Sequence, residues 1–167
     1  QHLFETDLVD GEAPEIKSTG PVSEKAQKAA EVLKRIVSGM GYQPEVAVHE
    51  KEERVHLDLR GDDMGRLIGK EGNTLNSLQH LVTAIVSRKF NSRVLIRVDA
   101  NDYRDRREQS LRRMARDAAQ MAQHQNRPVE LEPMPATERR VIHEEISLIS
   151  DVHTYSTGEF KDRRIIV

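Results

Sequence analysis

Leu67-Ile68-Gly69-Lys70-Glu71-Gly72-Asn73-Thr74-Leu75 is the stretch on which the reading of this chain turns. Two glycines three apart let backbone approach a phosphodiester without Cβ obstruction, and a helix starting just after them offers N–H groups and the positive end of its dipole. Lys70 adds a charge at the same place. Ile68 and Leu75 are expected to pin the two flanking helices to a sheet, leaving an apolar groove in which unstacked bases can lie. Spacing alone leaves a second reading open, because a glycine pair also ends a helix or permits close packing. A Walker loop is excluded, since Met64 stands where its first glycine belongs and Glu71 where its Ser or Thr belongs. A Rossmann turn fails too: no strand runs directly into these glycines, and the GxGxxG order is absent.

Outward from that stretch the apolar residues are periodic. Ser23 caps a helix whose set Ala26, Ala29, Ala30, Leu33, Ile36, Val37 and Met40 follows helical spacing and ends at Gly39-Met40-Gly41. Val46 and Val48 alternate in one strand, and Val55, Leu57 and Leu59 in the next, with His49 to Arg54 as the turn. Asp62-Asp63-Met64 starts a short helix through Ile68. Asn73 or Thr74 then caps a longer helix with the stripe Leu75, Leu78, Leu81, Val82, Ile85, Val86 and Phe90, before Val94, Ile96 and Val98 alternate as a third strand. Asn101 or Asp102 opens a long helix reaching Gln125, with Leu111, Met114, Ala115, Ala118, Met121 and Ala122 as its core stripe. Pro128, Pro133 and Pro135 bracket a short strand around Val129 to Leu131, and Thr137 caps a helix containing Val141, Ile142, Ile146 and Ile149. A hairpin of Val152 to Thr157 and Arg163 to Val167 closes the chain. The expected fold class is α+β: an acidic mobile tail over 1–20, a three-stranded sheet with helices on one face over 21–99, and a small three-stranded antiparallel sheet with two helices over 100–167.

Composition bounds the function. In 167 residues there is no cysteine, which removes disulfide frameworks, thiolate nucleophiles and Cys-based zinc sites together and agrees with a reducing, cytoplasmic setting. No stretch approaches a membrane span, and the first residue is Gln, with no basic-then-apolar leader after it. The formal net charge of -2 conceals an asymmetry. Residues 1–24 carry six acids against Lys17, a local net of -5, whereas residues 88–117 carry ten bases against five acids, a local net of +5. A basic middle behind an acidic tail suggests a polyanionic partner, although a solvated helix face laced with ion pairs accounts equally for about half of those bases. Platforms that stack bases on several exposed rings are excluded, because the chain holds no Trp, three Tyr and three Phe.

A second constellation lies downstream. Arg139 and His143, four apart on a predicted helix, share one face at about 6 Å between Cβ atoms. Such a pair can hold consecutive phosphates, Arg through its fork and His by donating a hydrogen bond or stacking on a base. Arg140 points elsewhere and suits an ion pair with Glu144 or Glu145. His143-Glu144-Glu145 begins like a zincin helix, but Ser147 occupies the place of the second His. Asp62-Asp63 and Asp102 with Asp105 could hold a metal for phosphodiester cleavage, yet helix capping explains both pairs better, so a metal-dependent nuclease is the enzymatic alternative and no catalytic residue or metal ligand is assigned. A protein-protein adaptor that dimerises through the first domain is a third reading, which the Glu71 carboxylate favours.

The glycine stretch, set in the order helix, strand, strand, short helix, GxxG, helix, strand, resembles the type II KH domain over Pro21 to Asp99. That resemblance implies that Ile68, Gly69, Lys70, Glu71 and Gly72, with Arg66 just before them, contact the RNA backbone over about four nucleotides. Glu71 departs from a phosphate-binding pattern and should weaken the contact. Thr137-Glu138-Arg139-Arg140-Val141-Ile142-His143, then Val152, Thr154, Ser156 and Gly158, then Arg164-Ile165-Ile166-Val167, resemble the single-stranded nucleic-acid-binding domain named for its Arg-three residues-His motif, with Arg139, His143 and Arg140 as the binding set. A KH domain followed directly by this domain is the arrangement of the Jag, or SpoIIIJ-associated, family. The resemblance implies a cytoplasmic bacterial protein without enzymatic activity or cofactor, an RNA chaperone binding single-stranded RNA or also single-stranded DNA. It further implies pairing with a small single-KH protein or with copies of itself, and a link to cell elongation, envelope homeostasis or sporulation. Members carry a further small N-terminal domain, whose activity is not assigned to these residues.

Overall fold

Alternation along the strands and helical spacing between them set the architecture that the computed structural model shows for residues 16–18 and 20–167. The remainder of the acidic tail lies outside the described residues. Two compact units divide at Tyr103 and Arg104.

In the first unit, β1 (Ile16–Ser18), α1 (Glu24–Gly39), β2 (Glu45–Lys51), β3 (Arg54–Arg60), α2 (Gly65–Ile68), α3 (Asn73–Lys89) and β4 (Leu95–Ala100) follow one another. The sheet order is β1-β2-β3-β4, with β2 and β3 antiparallel and the outer pairs parallel. The expected three strands are present, and β1 adds a fourth at the edge from residues read as tail: Ile16 pairs with Val46 and Ser18 with Val48. Register stacks Val48 on Leu57 and Leu57 on Val98, so one face is apolar at its centre, with exposed Glu50 at its end opposite Val55. Val46, Val48, Val55, Leu57, Leu59, Ile96, Val98 and Ala100 are buried there beneath Ala26, Ala29, Ala30, Leu33 and Val37 of α1 and Leu75, Leu78, Val82 and Val86 of α3. Each fully buried Leu or Val contributes about 1.5–3 kcal/mol of apolar burial. The opposite face is polar and half-buried, with His49 stacked on its cross-strand neighbour His56 at 4.9 Å.

Two helix stripes are narrower than spacing suggests. Leu81 and Ile85 of α3 are 47% and 40% exposed rather than buried, and Met40 after α1 is 45% exposed. The six stripe residues on α3, with Phe90 just after it, exceed what one side of a helix can present to one sheet, so Leu81 and Ile85 face outward.

The second unit holds α4 (Tyr103–Gln125, whose body lies in this unit), α5 (Ala136–Ile146), β5 (Tyr155–Thr157) and β6 (Arg164–Ile166). Leu111, Ala115, Ala118 and Ala119 of α4 pack with Ile142, Ile146, Met134, Val152, Ile165 and Val167, while Met121, expected in that core, is exposed. The regular sheet has two strands rather than three. The expected Val129 to Leu131 strand survives as a bridge from Glu130 to Ile166, flanked by Val129 N–H to Val167 O at 3.0 Å and Leu131 N–H to Ile165 O at 2.9 Å. Pro128 and Pro133 lack the N–H groups that would lengthen it.

Capping also differs from expectation. Ser23 caps α1 as read, its Oγ accepting from Ala26 N–H at 3.2 Å. By contrast, Asp62 and Asp63 do not cap α2, whose preceding residue Met64 makes no side-chain cap bond. Thr137 lies inside the first turn of α5, and the Pro135 carbonyl accepts from Glu138 and Arg139 N–H instead. Asn101 and Asp102 are left-handed at φ 48 and 55. Asn101 is drawn back to Gly61, donating from Nδ2 to its carbonyl at 2.8 Å, and Asp102 accepts from Arg60 at 3.1 Å.

Candidate nucleic-acid interface

In the first unit the candidate site is a turn between two helices. The α2 helix ends at Gly69 (φ 73), a single 3-10 turn spans Lys70–Gly72, and α3 starts from Gly72 (φ 76). Both glycines are obligatory for packing as well as for conformation. A Cβ on Gly69 would lie 2.2 Å from Thr74 Oγ1, and one on Gly72 would lie 2.8 Å from the Tyr103 ring. Of the two readings left open by the spacing, close packing is the one these distances meet: the glycines permit close approach of protein from inside.

Their amides are less available than the spacing suggests. Gly69 N–H donates to Gly65 O at 2.8 Å and Gly72 N–H to Gly69 O at 3.2 Å. The electropositive character of the turn comes instead from the N-terminal end of α3 and from the side chains of Arg66 and Lys70. Both are exposed, and neither has an ion-pair partner among the described residues. Glu71 is half-buried at φ 53, in the same left-handed region as the glycines that flank it. Leu67 and Leu75, both fully buried, are the pins. Ile68 is half-buried at the edge of the core rather than anchored in it, which leaves part of its side chain on the surface of the turn.

The second site is organised by hydrogen bonds. Helical spacing puts Arg139 and His143 on one face of α5, and strand alternation puts Thr154 and Ser156 on one face of the segment entering β5. These four meet. Arg139 donates from Nε to the Met134 carbonyl at 3.2 Å and from Nη1 to Ser156 Oγ at 2.8 Å. His143 has Nδ1 2.7 Å from Thr154 Oγ1 and Nε2 3.1 Å from the same Ser156 Oγ. Burial, and then the neighbouring Arg139 charge, hold the His143 imidazole below its ordinary pKa, so it is neutral near pH 7. In a neutral ring one nitrogen donates and the other accepts, so one hydroxyl bonds to each. Two guanidinium N–H groups of Arg139 are thus committed within the cluster, and Nη2 makes neither of these bonds. Both ring nitrogens of His143 are engaged by hydroxyls of the segment entering β5.

Surrounding ion pairs fix α5. Glu138, 8% exposed, receives Nε and Nη2 of Arg107, each at 2.8 Å. Glu145 receives Arg112 at 2.8 Å and also Arg116. Arg140 turns away from the cluster as read, is exposed, and pairs with Glu144 at 2.7 Å. Much of the basic run over residues 88–117 thus serves the fold. Spacing does not show which acids these arginines meet, because Arg107 and Glu138 are far apart in sequence. Thr154 and Ser156 are visible in the sequence as motif residues, but their role as the partners of Arg139 and His143 is not. Among the described residues no group of His, Asp and Glu is placed to hold a metal ion. No helix among them is long and apolar enough to cross a membrane.

A sheet backed by helices with a glycine turn between two of them, followed by a helix presenting Arg and His to a short hairpin, defines a protein of two nucleic-acid-binding domains, a KH domain and an Arg-three residues-His domain. The family model described as "KhpA/KhpB, KH domain" matches residues 29–99, and the model of the Arg-three residues-His domain matches residues 109–167. RNA-binding protein KhpB of Clostridium symbiosum is 37% identical over 142 residues, covering 84% of this chain and 64% of that protein. The KhpB of Bacillus subtilis (strain 168) is 30% identical over 159 residues, 94% of this chain and 76% of the relative, and that of Lactiplantibacillus plantarum is 32% identical over 154 residues, 92% and 48%. The chain belongs to the KhpB/Jag family. It spans between about half and three quarters of the length of these relatives.

Proposed function

We propose that this chain binds single-stranded RNA without catalysing a reaction on it. Two features support the reading: the part-buried cluster in which Ser156 orients both Arg139 and His143, and the exposed Arg66 and Lys70 beside the glycine turn. The first carries it, because an arginine held at two of its N–H groups and open at Nη2 is preorganised for a phosphate oxygen. The relatives are named as RNA-binding proteins, which agrees. An unpaired strand suits these sites, since its bases can reach both helix surface and groove. RNA chaperoning in a bacterial cytoplasm, in company with a small single-KH protein or a second copy, is the role this binding would serve. The family's link to cell elongation, envelope homeostasis or sporulation would run through that role.

Affinity for an unstructured RNA, titrated against salt, tests the reading with Arg139→Ala and Lys70→Asp introduced separately. Each should weaken binding, and each lost phosphate contact should flatten the logarithmic salt dependence by about 0.7. If neither substitution matters, both sites are wrong. A parallel titration with DNA of the same sequence decides whether the second unit distinguishes the two.

One observation favours a second reading, an adaptor working through the first unit: Leu81 and Ile85 are exposed on α3. Under it, association with protein survives ribonuclease treatment and is lost in Ile85→Glu, while RNA affinity is unchanged.

A further inference from the structure

The hairpin of the second unit ends in a side chain that the fold does not use. Phe160 is 94% exposed, at φ 45. Left-handed backbone is disfavoured for a bulky L residue, and such outliers gather at functional sites. The tip is firmly closed around it: Asp162 N–H donates to the Glu159 carbonyl at 2.9 Å, and Arg164 Nε donates to the Asp162 carbonyl at 3.1 Å. A large apolar ring is thus held in water by a short, hydrogen-bonded turn.

Its position matters as much as its exposure. Strand β5 supplies Ser156 to Arg139 and His143, and Phe160 follows four residues later in the same hairpin, at most about 14 Å along the chain. We propose that Phe160 is a base-stacking residue, on whose ring lies an unpaired nucleobase of a strand whose phosphate is held at Arg139. The inference rests on the single-stranded RNA reading above. Charge at the tip points the same way. Exposed Lys161 and Arg163 are offset by exposed Glu159 and Asp162, so the tip offers no net cation for phosphate and contributes a π-face instead. Single-ring stacking tolerates any base, because every base has such a face. A duplex buries its bases and cannot engage the ring.

The test uses the full chain and unstructured RNA oligonucleotides carrying 2-aminopurine at successive positions, with Phe160→Ala, Phe160→Tyr and Arg139→Ala compared at several salt concentrations. Phe160→Ala should weaken binding roughly 5- to 100-fold, the range of one base–aromatic stack, with the salt slope unchanged. It should also abolish quenching of the probe at one position, and Phe160→Tyr should restore both. Wild-type affinity and quenching in Phe160→Ala overturn the inference, as does a loss confined to self-association in sedimentation, which would make the ring a protein contact. Failure of the unaltered chain to bind RNA sinks the RNA reading itself and is recognisable separately, whereas RNA binding indifferent to Arg139→Ala overturns the placement of the strand beside Phe160.

Discussion

The two candidate sites, proposed above to meet the same ligand, are built in opposite ways. At the glycine turn the cations are loose: Arg66 and Lys70 stand exposed, with no ion-pair partner among the described residues, beside a backbone whose own glycine amides are engaged within the turn. In the second unit the cation is fixed, with Arg139 bonded at Met134 and Ser156 and braced by His143. A mobile lysine loses rotamer entropy on contact, whereas a fixed guanidinium has already lost it in folding. The difference teaches where the affinity should concentrate and where the fold should be most fragile.

The largest effect should fall on folding, at the turn. Gly72→Val places a branched side chain at φ 76 against the Tyr103 ring, and urea denaturation should show a loss of about 2–4 kcal/mol. Adding Tyr103→Ala should recover part of that loss by clearing the space. If Gly72→Val melts like the unaltered chain, the turn is not closed from within.

Next comes RNA affinity, where the constructions are compared directly. Arg139→Ala removes a preorganised charged contact and should weaken binding about 10- to 100-fold, against roughly threefold for Lys70→Ala. Equal losses would erase the distinction between fixed and loose cations.

A third effect separates the sites by pH. His143 has its pKa depressed by burial and then by Arg139, so the unfolded chain takes up this proton before the folded one. Its contribution to stability is complete above about pH 6.5 and is lost as the pH falls through the lower folded value. A phosphate beside the cluster favours the imidazolium, so RNA affinity should rise over the same fall in pH while stability declines. Calorimetry and binding titrations from pH 7.5 to about 5.5 check both trends. His143→Gln should flatten them, and no trend at the glycine turn is expected.

Smallest is Arg140→Ala. Its partner Glu144 and its exposed position make it a surface pair, and RNA affinity should change by less than about twofold. A larger loss would keep Arg140 in the binding set with Arg139 and His143.

Strand alternation makes the first unit's sheet legible, because a period of two has one solution once Val48, Leu57 and Val98 must share a face. Helical spacing overstates the α3 stripe at Leu81 and Ile85, since it gives a face but not its width. Local windows misplace caps wherever a side chain has a better partner elsewhere in the fold: Asn101 bonds to the Gly61 backbone, which lies outside any such window. The Arg139 and His143 pair is visible as a spacing. Its dependence on Thr154 and Ser156, and the capture of Arg107 by Glu138, are set by tertiary contacts across the unit.

Ser156 supports two side chains with one oxygen, and this has a genetic corollary. Defects at positions 139, 143 and 156 should mask one another: once any of the three is gone, removing a second should do little further harm. A hydroxyl placed at that junction makes three residues behave as a single heritable unit.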